Sequence, residues 1–469
     1  MLNMGSTAII ARLLSPQDFG LLAMVATVTS FIAQFKDLGL SMATVQKAEV
    51  NHQQVSTLFW VNVALSTALT LLTAALAPVV AWVYGEPRLT QITLVFASGF
   101  IFSGLTVQHQ ALLQRQMRFA SLAAIDLTSM FLGVTSAIIA ALQGAGYWAL
   151  VLLQLVTTIS NAVGVWLMCG WRPGLPVRHS GVRSMLAFGG NITGFNFLNY
   201  FVRTFDNVVI GYYSGAQQLG IYAKAYQLLL LPMQQINTPV TNVAIPALSN
   251  LQADPDRYRD YYRKGILLLV TLGMPLIAFL FVAADKVILV VLGKKWIDAI
   301  LIFRILAPAA FVGTFNVATG WVYTSLGRAD RQIRWSVFVS TLTAISFLIG
   351  IKWGAIGVAA AVSITICGLR YPGIVYCFKT SPLKVSDLTS VIWRPALAST
   401  LAGVGLFAVN RAVSFSQNQG IGLAIDLCFY TAFYILVWSI LPNGWQTLRQ
   451  IFKLFKQLRR KPSEIENAS

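Results

Sequence analysis

The sequence predicts an all-α polytopic membrane protein, with about 14 transmembrane helices in two parallel-repeat six-helix lobes plus two C-terminal helices. Three observations predict it. Hydrophobic residues make up 56% of the 469 residues and charged ones only 11%, with a mean hydropathy of +0.68; a soluble domain carries about 25% charge. Apolar runs such as 262–284, 335–351, 353–369 and 421–441 approach the roughly 20 residues that cross a bilayer as a helix. The chain also repeats itself. "ARLLSPQDFGLLAMV" at 11–25 returns as "GYYSGAQQLGIYAKA" at 211–225, placing Gly20 on Gly220, Phe19 on Leu219, Asp18 on Gln218 and Leu21 on Ile221. "RQMRF" at 115–119 returns as "RQIRW" at 331–335.

In order, the spans are expected at about 1–14, 19–40, 56–84, 89–109, 120–142, 146–168, 184–211, 218–247, 262–284, 297–323, 335–351, 353–377, 391–411 and 421–441. Turns such as "GEPR" (85–88), "QGAGYW" (143–148) and "YSGAQQ" (213–218) separate them, and no loop is long enough to fold as a domain. Alternating strands of the outer-membrane barrel kind are absent. Six spans lie between the two copies of the 11–25 motif, so the copies point the same way and are related by an axis along the membrane normal. The expected organisation is a first lobe over 1–168, a second over 184–377, two appended helices over 391–441 and a tail over 442–469. The offset grows from 200 to 216 between the two repeated pairs, and the charged stretch "LQADPDRYRDYYRK" (251–264) has room for the extra residues.

Orientation follows from the basic residues of the loops. One face collects about 23 Lys and Arg, among them Lys36, Arg115, Arg118, Arg172, Arg259, Arg328, Arg331, Lys384 and six in the tail, against about seven on the other, such as Arg88, Lys286 and Lys352. Both termini are therefore expected on the cytoplasmic side. The net charge of +18 reflects this asymmetry and calls for no nucleic-acid partner. The tail "WQTLRQIFKLFKQLRRK" (445–461) reads as a basic amphipathic helix lying on anionic membrane lipids.

Polar residues inside the spans are costly and face a cavity or a partner. The seventh span is the richest: Asn196, Asn199, Arg203 and Asp206 follow spacings of 3, 4 and 3 and share one helix face. The eighth answers with Lys224, Gln227, Gln234, Thr238 and Thr241. Two readings stand for Arg203 and Asp206. They form a structural pair one turn apart, or a site in which Arg203 binds an anionic headgroup and Asp206 couples an ion or proton. Asn196, Asn199, Tyr200, Gln227 and Gln234 are placed to contact sugar hydroxyls, with Lys224 as a second cation. Under the offset of 200, Arg203 falls on Asn3 and Lys224 on Met24, so the charge belongs to the second copy. Arg304 and Arg370 read as snorkelling from helix ends, and Asp126 is a lone acid in the first lobe. Pro232, Pro239 and Pro246 recur every seven residues on one side of the eighth span and favour kinks.

Several chemistries are excluded. No "GxxxxGK[ST]" phosphate loop occurs. His52, His109 and His179 lack metal-ligand spacing, so no metal and no cofactor is expected. Cys169, Cys367, Cys377 and Cys428 form no paired framework. An enzyme is not expected.

"ARLLSPQDFGLLAM" (11–24), "DLGL" (37–40), "RQMRF" (115–119) and "DNVVIGYYSGAQQLGIYAKAYQL" (206–228), with Pro232, resemble the bacterial polysaccharide flippases, whose superfamily also holds the multidrug and toxic compound extruders. The resemblance implies a V-shaped pair of lobes in the bacterial inner membrane. It implies translocation of a polyprenyl-pyrophosphate-linked oligosaccharide from the cytoplasmic to the outer leaflet, for polysaccharide or lipopolysaccharide export. Alternating access would be coupled to an ion gradient or the membrane potential, not ATP. Glycan polymerases or glycosyltransferases are then expected as further partners. The family's basic cavity residues correspond to Arg203 and Lys224, with Asp206 as the acid beside them. Arginine suits a pyrophosphate through its planar donor fork. The alternative on the same architecture is a multidrug-type cation antiporter, whose cavity should be rich in acids; a non-transporting scaffold leaves the polar stripe unexplained.

One anomaly remains. The second copy opens with a helix of about 28 residues, the first with only residues 1–14, which rise about 21 Å against a hydrocarbon core of roughly 30 Å. Either the native start lies upstream or the first helix works in a shortened form. Intact mass of the natively expressed protein decides, since a mass matching a start at Met1 ends the upstream version.

Overall fold

The computed structural model describes residues 2–37, 39–46, 50–177, 183–379, 381–412, 418–442 and 444–446; within these, side chains are described outside 2–4, 43, 46 and 183–203. The described residues are almost wholly helical and contain no strand. In chain order the helices are α1 (Leu2–Leu13), α2 (Pro16–Ala33), α3 (Leu40–Gln46), α4 (His52–Tyr84), α5 (Arg88–Arg115), α6 (Phe119–Leu142), α7 (Trp148–Cys169) and α8 (Arg183–Asn250). They continue as α9 (Pro255–Val282), α10 (Ala284–Val291), α11 (Ala299–Gly313), α12 (Val317–Ser325), α13 (Ala329–Gly350), α14 (Gly354–Phe378), α15 (Val385–Ala412) and α16 (Gln419–Ile440).

Ten stretches of the described residues are long and apolar enough to cross a membrane. Two of these stretches, Ala299–Ser325 and Ala329–Phe378, each take in two helices. α1, with 12 residues, and α8, whose apolar residues are interrupted by Gln, Asn and Pro, fall outside that set. Large side chains turned outward are apolar, among them Leu71, Phe131, Phe338, Ile364 and Val404, as expected where the solvent is lipid.

Three boundaries depart from the sequence reading. The expected span 19–40 is broken: α2 ends at Ala33, and α3 starts only at Leu40. The stretch 251–264 is a loop only up to Asp254, whose side chain accepts from the Arg257 N–H and caps α9, with Pro255 in the first turn. α8 keeps helical dihedrals at Pro232, Pro239 and Pro246; its one departure is Gly215, at φ 78° and ψ 178°. A proline costs a helix one hydrogen bond without obliging it to break.

Gly215 marks the second copy of the repeated turn. In the first copy, Ser15 caps α2: its Oγ accepts from the Asp18 N–H at 3.3 Å, and Asp18 Oδ2 accepts from the Ser15 N–H at 2.9 Å. The second copy has no such pair and uses a positive φ that only glycine adopts cheaply. The two copies pack on each other reciprocally. A Cβ added at Gly20 would fall on the Ala216 carbonyl, and one added at Gly220 would fall on the Pro16 carbonyl and 2.9 Å from the Gly20 nitrogen. Pro16 matches Ala216 as Gly20 matches Gly220, so one contact is written twice, as a local two-fold requires. Small residues four apart let the backbones meet.

The second repeated pair needs correction. RQMRF straddles a helix break, with Arg115 ending α5 and Phe119 opening α6, whereas RQIRW lies wholly inside α13. The equivalent turn sits at an offset of 210, not 216. The Gln116, Met117 and Arg118 N–H groups donate to Leu112, Gln114 and Leu113 carbonyls, as those of Leu326, Gly327 and Arg328 donate to Val322, Thr324 and Tyr323. Met117 (φ 56°) and Gly327 (φ 66°) occupy the same left-handed position.

The chain forms two compact units, Met1–Ala223 and Lys224–Ser469. In the first, α4 packs on α5, α6 on α7 and α7 on α5. Glycines mark these seams: a Cβ at Gly104 would strike Ser66 of α4, and one at Gly133 would strike Thr157 of α7. In the second, α9 packs on α15, α14 on α11 and α13, and α16 on α15. Tyr434 of α16 donates to the Thr271 carbonyl of α9 at 3.1 Å and Tyr430 to that of Ser399 at 3.2 Å, fixing the last hairpin to its unit.

Gly20→Ala and Gly220→Ala are each expected to lower thermal stability in detergent, at or above the about 1–3 kcal/mol typical of overpacking, because a backbone carbonyl cannot move aside. Gly368→Ala, with open space around it in α14, serves as the neutral control. Glycine variants that melt with the wild type would refute the close crossing.

Candidate functional site

Asn196, Asn199, Tyr200 and Arg203 lie on α8, but their side chains fall outside the described set. Asp206, which follows them on the same helix, is 7% exposed. It accepts from the Tyr222 hydroxyl at 2.9 Å and from the Asn207 N–H at 2.8 Å. Tyr222 lies beyond Gly215, so this hydrogen bond joins the two parts of α8 across its break. Lys224 Nζ donates to Gln227 Oε1 at 3.0 Å. Gln227 and Gln234 are exposed, and Thr241 accepts from Trp321 Nε1 at 3.0 Å, which commits it to packing.

A second polar feature, not anticipated from the sequence, lies in the first unit. α2, α5 and α7 enclose a cavity of about 270 Å³, lined by Thr29, Ser30 and Lys36 of α2 and its end, Ser103 of α5, and Gln154 and Thr158 of α7, among others. Lys36 sits in the break between α2 and α3 and donates to Ser103 Oγ at 3.1 Å. Ser103 lies about 22 Å along α5 from Arg88 and about 18 Å from Arg115, taking 1.5 Å per residue. The ammonium therefore sits near the middle of a span, not in the loop where its place in the sequence put it. The signal was present in "FKDLGL": two charges and a glycine at the end of an apolar run read equally as a loop or as an interrupted helix. The α7 stripe runs on to Asn161, which donates to Asp126 Oδ1 at 3.0 Å and accepts from Gln110 at 2.9 Å.

The remaining cations sort by partner. Lys286 reaches the fully buried Asp426 at 2.6 Å, with Asn410 bonded to both. Arg304 pairs with Asp285 at 3.3 Å, where snorkelling alone was expected. Arg259 and Arg263 converge on Asp387, at 4.0 and 2.8 Å. Arg370 instead donates to the neutral Asn316 Oδ1 and lies 6.0 Å from the Phe315 ring centre. A second, apolar cavity of about 710 Å³ opens between α9, α11 and α15, with Phe281, Phe311, Val404 and Phe407 on its walls and Arg304 at its rim. His109 is fully buried, stacked on Trp166 at 4.5 Å and edge-on to Trp171 at 5.0 Å, which makes it a packing residue. No group of three His, Cys, Asp or Glu among the described residues is placed to hold a metal.

A helical membrane protein with a polar cavity in one unit and an apolar one in the other is a transporter architecture, and comparison with known proteins agrees. The family model described as polysaccharide biosynthesis protein matches residues 9–301. The chain belongs to this family. Its relatives include the teichuronic acid biosynthesis protein TuaB of Bacillus subtilis (strain 168), 26% identical over 87% of this chain and 86% of that one. Another is the lipopolysaccharide biosynthesis protein WzxC of Escherichia coli (strain K12), 24% identical over 76% and 73%. Among solved structures, the lipid II flippase MurJ in an inward closed conformation superposes with a TM-score of 0.74 at 15% identity, over 94% of this chain and 96% of that chain. An inward-facing multidrug resistance MATE family transporter gives 0.64 at 14% identity, over 80% and 93%. These likenesses show a shared fold.

Lys286→Met alone would leave Asp426 buried without its cation, at a cost of about 3–5 kcal/mol. The double variant Lys286→Met/Asp426→Leu is expected to recover most of that in a detergent melt. Equal loss in single and double variants would mean the pair is not a unit.

Proposed function

We propose that the protein is a flippase that carries a polyprenyl-pyrophosphate-linked oligosaccharide from the cytoplasmic to the outer leaflet of a bacterial inner membrane. The observation that carries this reading is the mid-span Lys36, whose ammonium donates to the neutral Ser103 hydroxyl. Of the acids, Asp426 is spent on Lys286, while Asp206 and Asp126 accept from the neutral Tyr222 and Asn161. Arg370 likewise donates to the neutral Asn316 Oδ1. Such cations suit an anionic headgroup, and the polysaccharide-pathway relatives supply the glycan.

On this reading Arg203 and Lys224 contact the pyrophosphate, and Asn196, Asn199, Tyr200, Gln227 and Gln234 the sugars. Asp206 couples an ion or proton, its bond to Tyr222 joining that step to the break at Gly215. The apolar cavity beside Arg304 offers the hydrocarbon chain a lining of Phe and Val. The repeat supports two lobes over 1–168 and 184–377 with α15 and α16 appended, both termini cytoplasmic, coupled to an ion gradient or the membrane potential. Glycan polymerases or glycosyltransferases are proposed partners.

The leaflet distribution of lipid-linked glycans in the native host tests this, with the gene deleted and then restored. Accumulation on the cytoplasmic leaflet, relieved by the wild type but not by a normally inserted Arg203→Ala, is expected. An unchanged distribution on deletion would overturn the flippase reading and turn attention to drug and dye efflux. Full relief by Arg203→Ala would return Arg203 and Asp206 to a structural role.

A further inference from the structure

In the second unit α13 and α14 pack as an antiparallel pair, and α13 begins at Ala329 where α14 ends at Phe378. At this end Arg331 donates to the Tyr376 carbonyl at 2.9 Å, and its guanidinium lies 4.4 Å from the centre of the Tyr376 ring. The same ring stacks on Trp335, with centroids 5.4 Å apart and planes at 22°. Gly373 makes room for the indole, since a Cβ there would come within 3.0 Å of it. Two outward strips run up to this stack. Tyr371, Val375 and Lys379 follow one another at a spacing of four on α14, and all three are exposed. Arg334, Val337 and Phe338 share a face of α13 and are exposed as well. Each helix therefore carries an apolar strip that finishes in a cation, at the same end of the pair. Against Arg331, Arg334 and Lys379 stands one carboxylate on the two helices, Asp330, in the first turn of α13.

We propose that this end of the α13–α14 pair binds an anionic membrane phospholipid of the phosphatidylglycerol kind. Its phosphate sits among Arg331, Arg334 and Lys379, and its acyl chains lie along Val337, Phe338, Tyr371 and Val375. The charge is complementary, because the basic residues place this end at the cytoplasmic leaflet, whose anionic lipids attract cations beside helix ends. The apolar strips below the cations call for hydrocarbon, which an acidic soluble partner would not supply. Arg331 is the fixed point of the site. Stacking and the bond to the Tyr376 carbonyl already hold its planar fork, so little of its rotamer freedom is left to lose when a phosphate arrives. Arg334 and Lys379 close on the phosphate from either side of the seam. A zwitterionic headgroup brings its own ammonium to the same cations and gains less from them. The lipid is a resident of the bilayer, not cargo, so the site stands whether or not the flippase reading does.

The test is native mass spectrometry of the purified full-length protein in detergent, with equal amounts of phosphatidylglycerol and phosphatidylcholine of distinguishable acyl mass. The wild type should retain phosphatidylglycerol severalfold over phosphatidylcholine. Arg331→Gln/Arg334→Gln/Lys379→Gln should lose that preference, at roughly fivefold per cation removed, while melting within a few degrees of wild type. Because Arg331 also holds the seam, Arg334→Gln/Lys379→Gln guards against a misfolded triple variant. Both of its positions are exposed, and it should lose most of the preference alone. Arg257→Gln removes a cation from the first turn of α9, at the same end of the unit, where Arg259 bonds the Pro382 carbonyl. It should leave the preference unchanged. Equal retention of the two lipids by the wild type overturns the site, and so does an undiminished preference in the double variant. An equal loss in Arg257→Gln overturns it as well, since binding would then follow overall charge and not this seam. No glycan cargo enters any arm, so the outcome is independent of the leaflet distribution that tests the flippase reading.

Discussion

The contact on which the first unit depends is the one between the two copies of its repeated turn. Gly20 lies against Ala216 and Gly220 against Pro16, with no space for a side chain at either glycine. In hydrocarbon, apolar helices gain little by burying apolar faces against one another, so close backbone approach and the dispersion it brings must do more. That requirement fixes the residues around it. α2 must start abruptly at the crossing, which the Ser15–Asp18 capping box achieves, and α8 must be interrupted at the matching point, which Gly215 allows. The Tyr222–Asp206 hydrogen bond then spans the interruption. A polar group buried among apolar residues is stable only with its partner in place, so this bond constrains the bend as well as tolerating it.

How much of this was legible follows the length scale of each signal. Membrane class and most helices could be read because 20-residue apolar runs are set by bilayer thickness, which no local detail overrides. The Gly20/Gly220 correspondence was readable because an interface that excludes Cβ leaves one residue type in both copies. The RQMRF match misled for the opposite reason. An exposed basic turn specifies composition, not register, while the true equivalence at offset 210 is carried by backbone hydrogen bonds and a left-handed residue that is Met in one copy and Gly in the other. The prolines of α8 leave the helix unbroken, its one non-helical residue being Gly215. Lys36 was assigned to a loop because charge at the end of an apolar run ordinarily marks the interface, and only its bond to the middle of α5 distinguishes a broken helix from a finished one.

The placement of charge decides between cargo types. A lone cation at the centre of a span costs about 2.5–3.5 kcal/mol on insertion scales, so it persists only with a compensating partner or water. This chain shows both solutions. Lys286 meets Asp426 among the last two helices, where Tyr430 and Tyr434 also close hydrogen bonds, and such a pair has nothing left to offer a substrate. Lys36 is given a hydroxyl and a polar cavity instead, a solution that holds the ammonium without cancelling it. The distinction explains why counting intramembrane charges is a poor guide to function, and why counting those without a counter-charge is a better one. Among the described residues Lys36 and Arg370 face neutral Ser103 and Asn316, and the acids Asp126 and Asp206 face neutral Asn161 and Tyr222. An ammonium held by a hydroxyl, as Lys36 is by Ser103, keeps its charge for an anionic head, and a head attached to a hydrocarbon chain can leave its tail in lipid while only the charged part crosses.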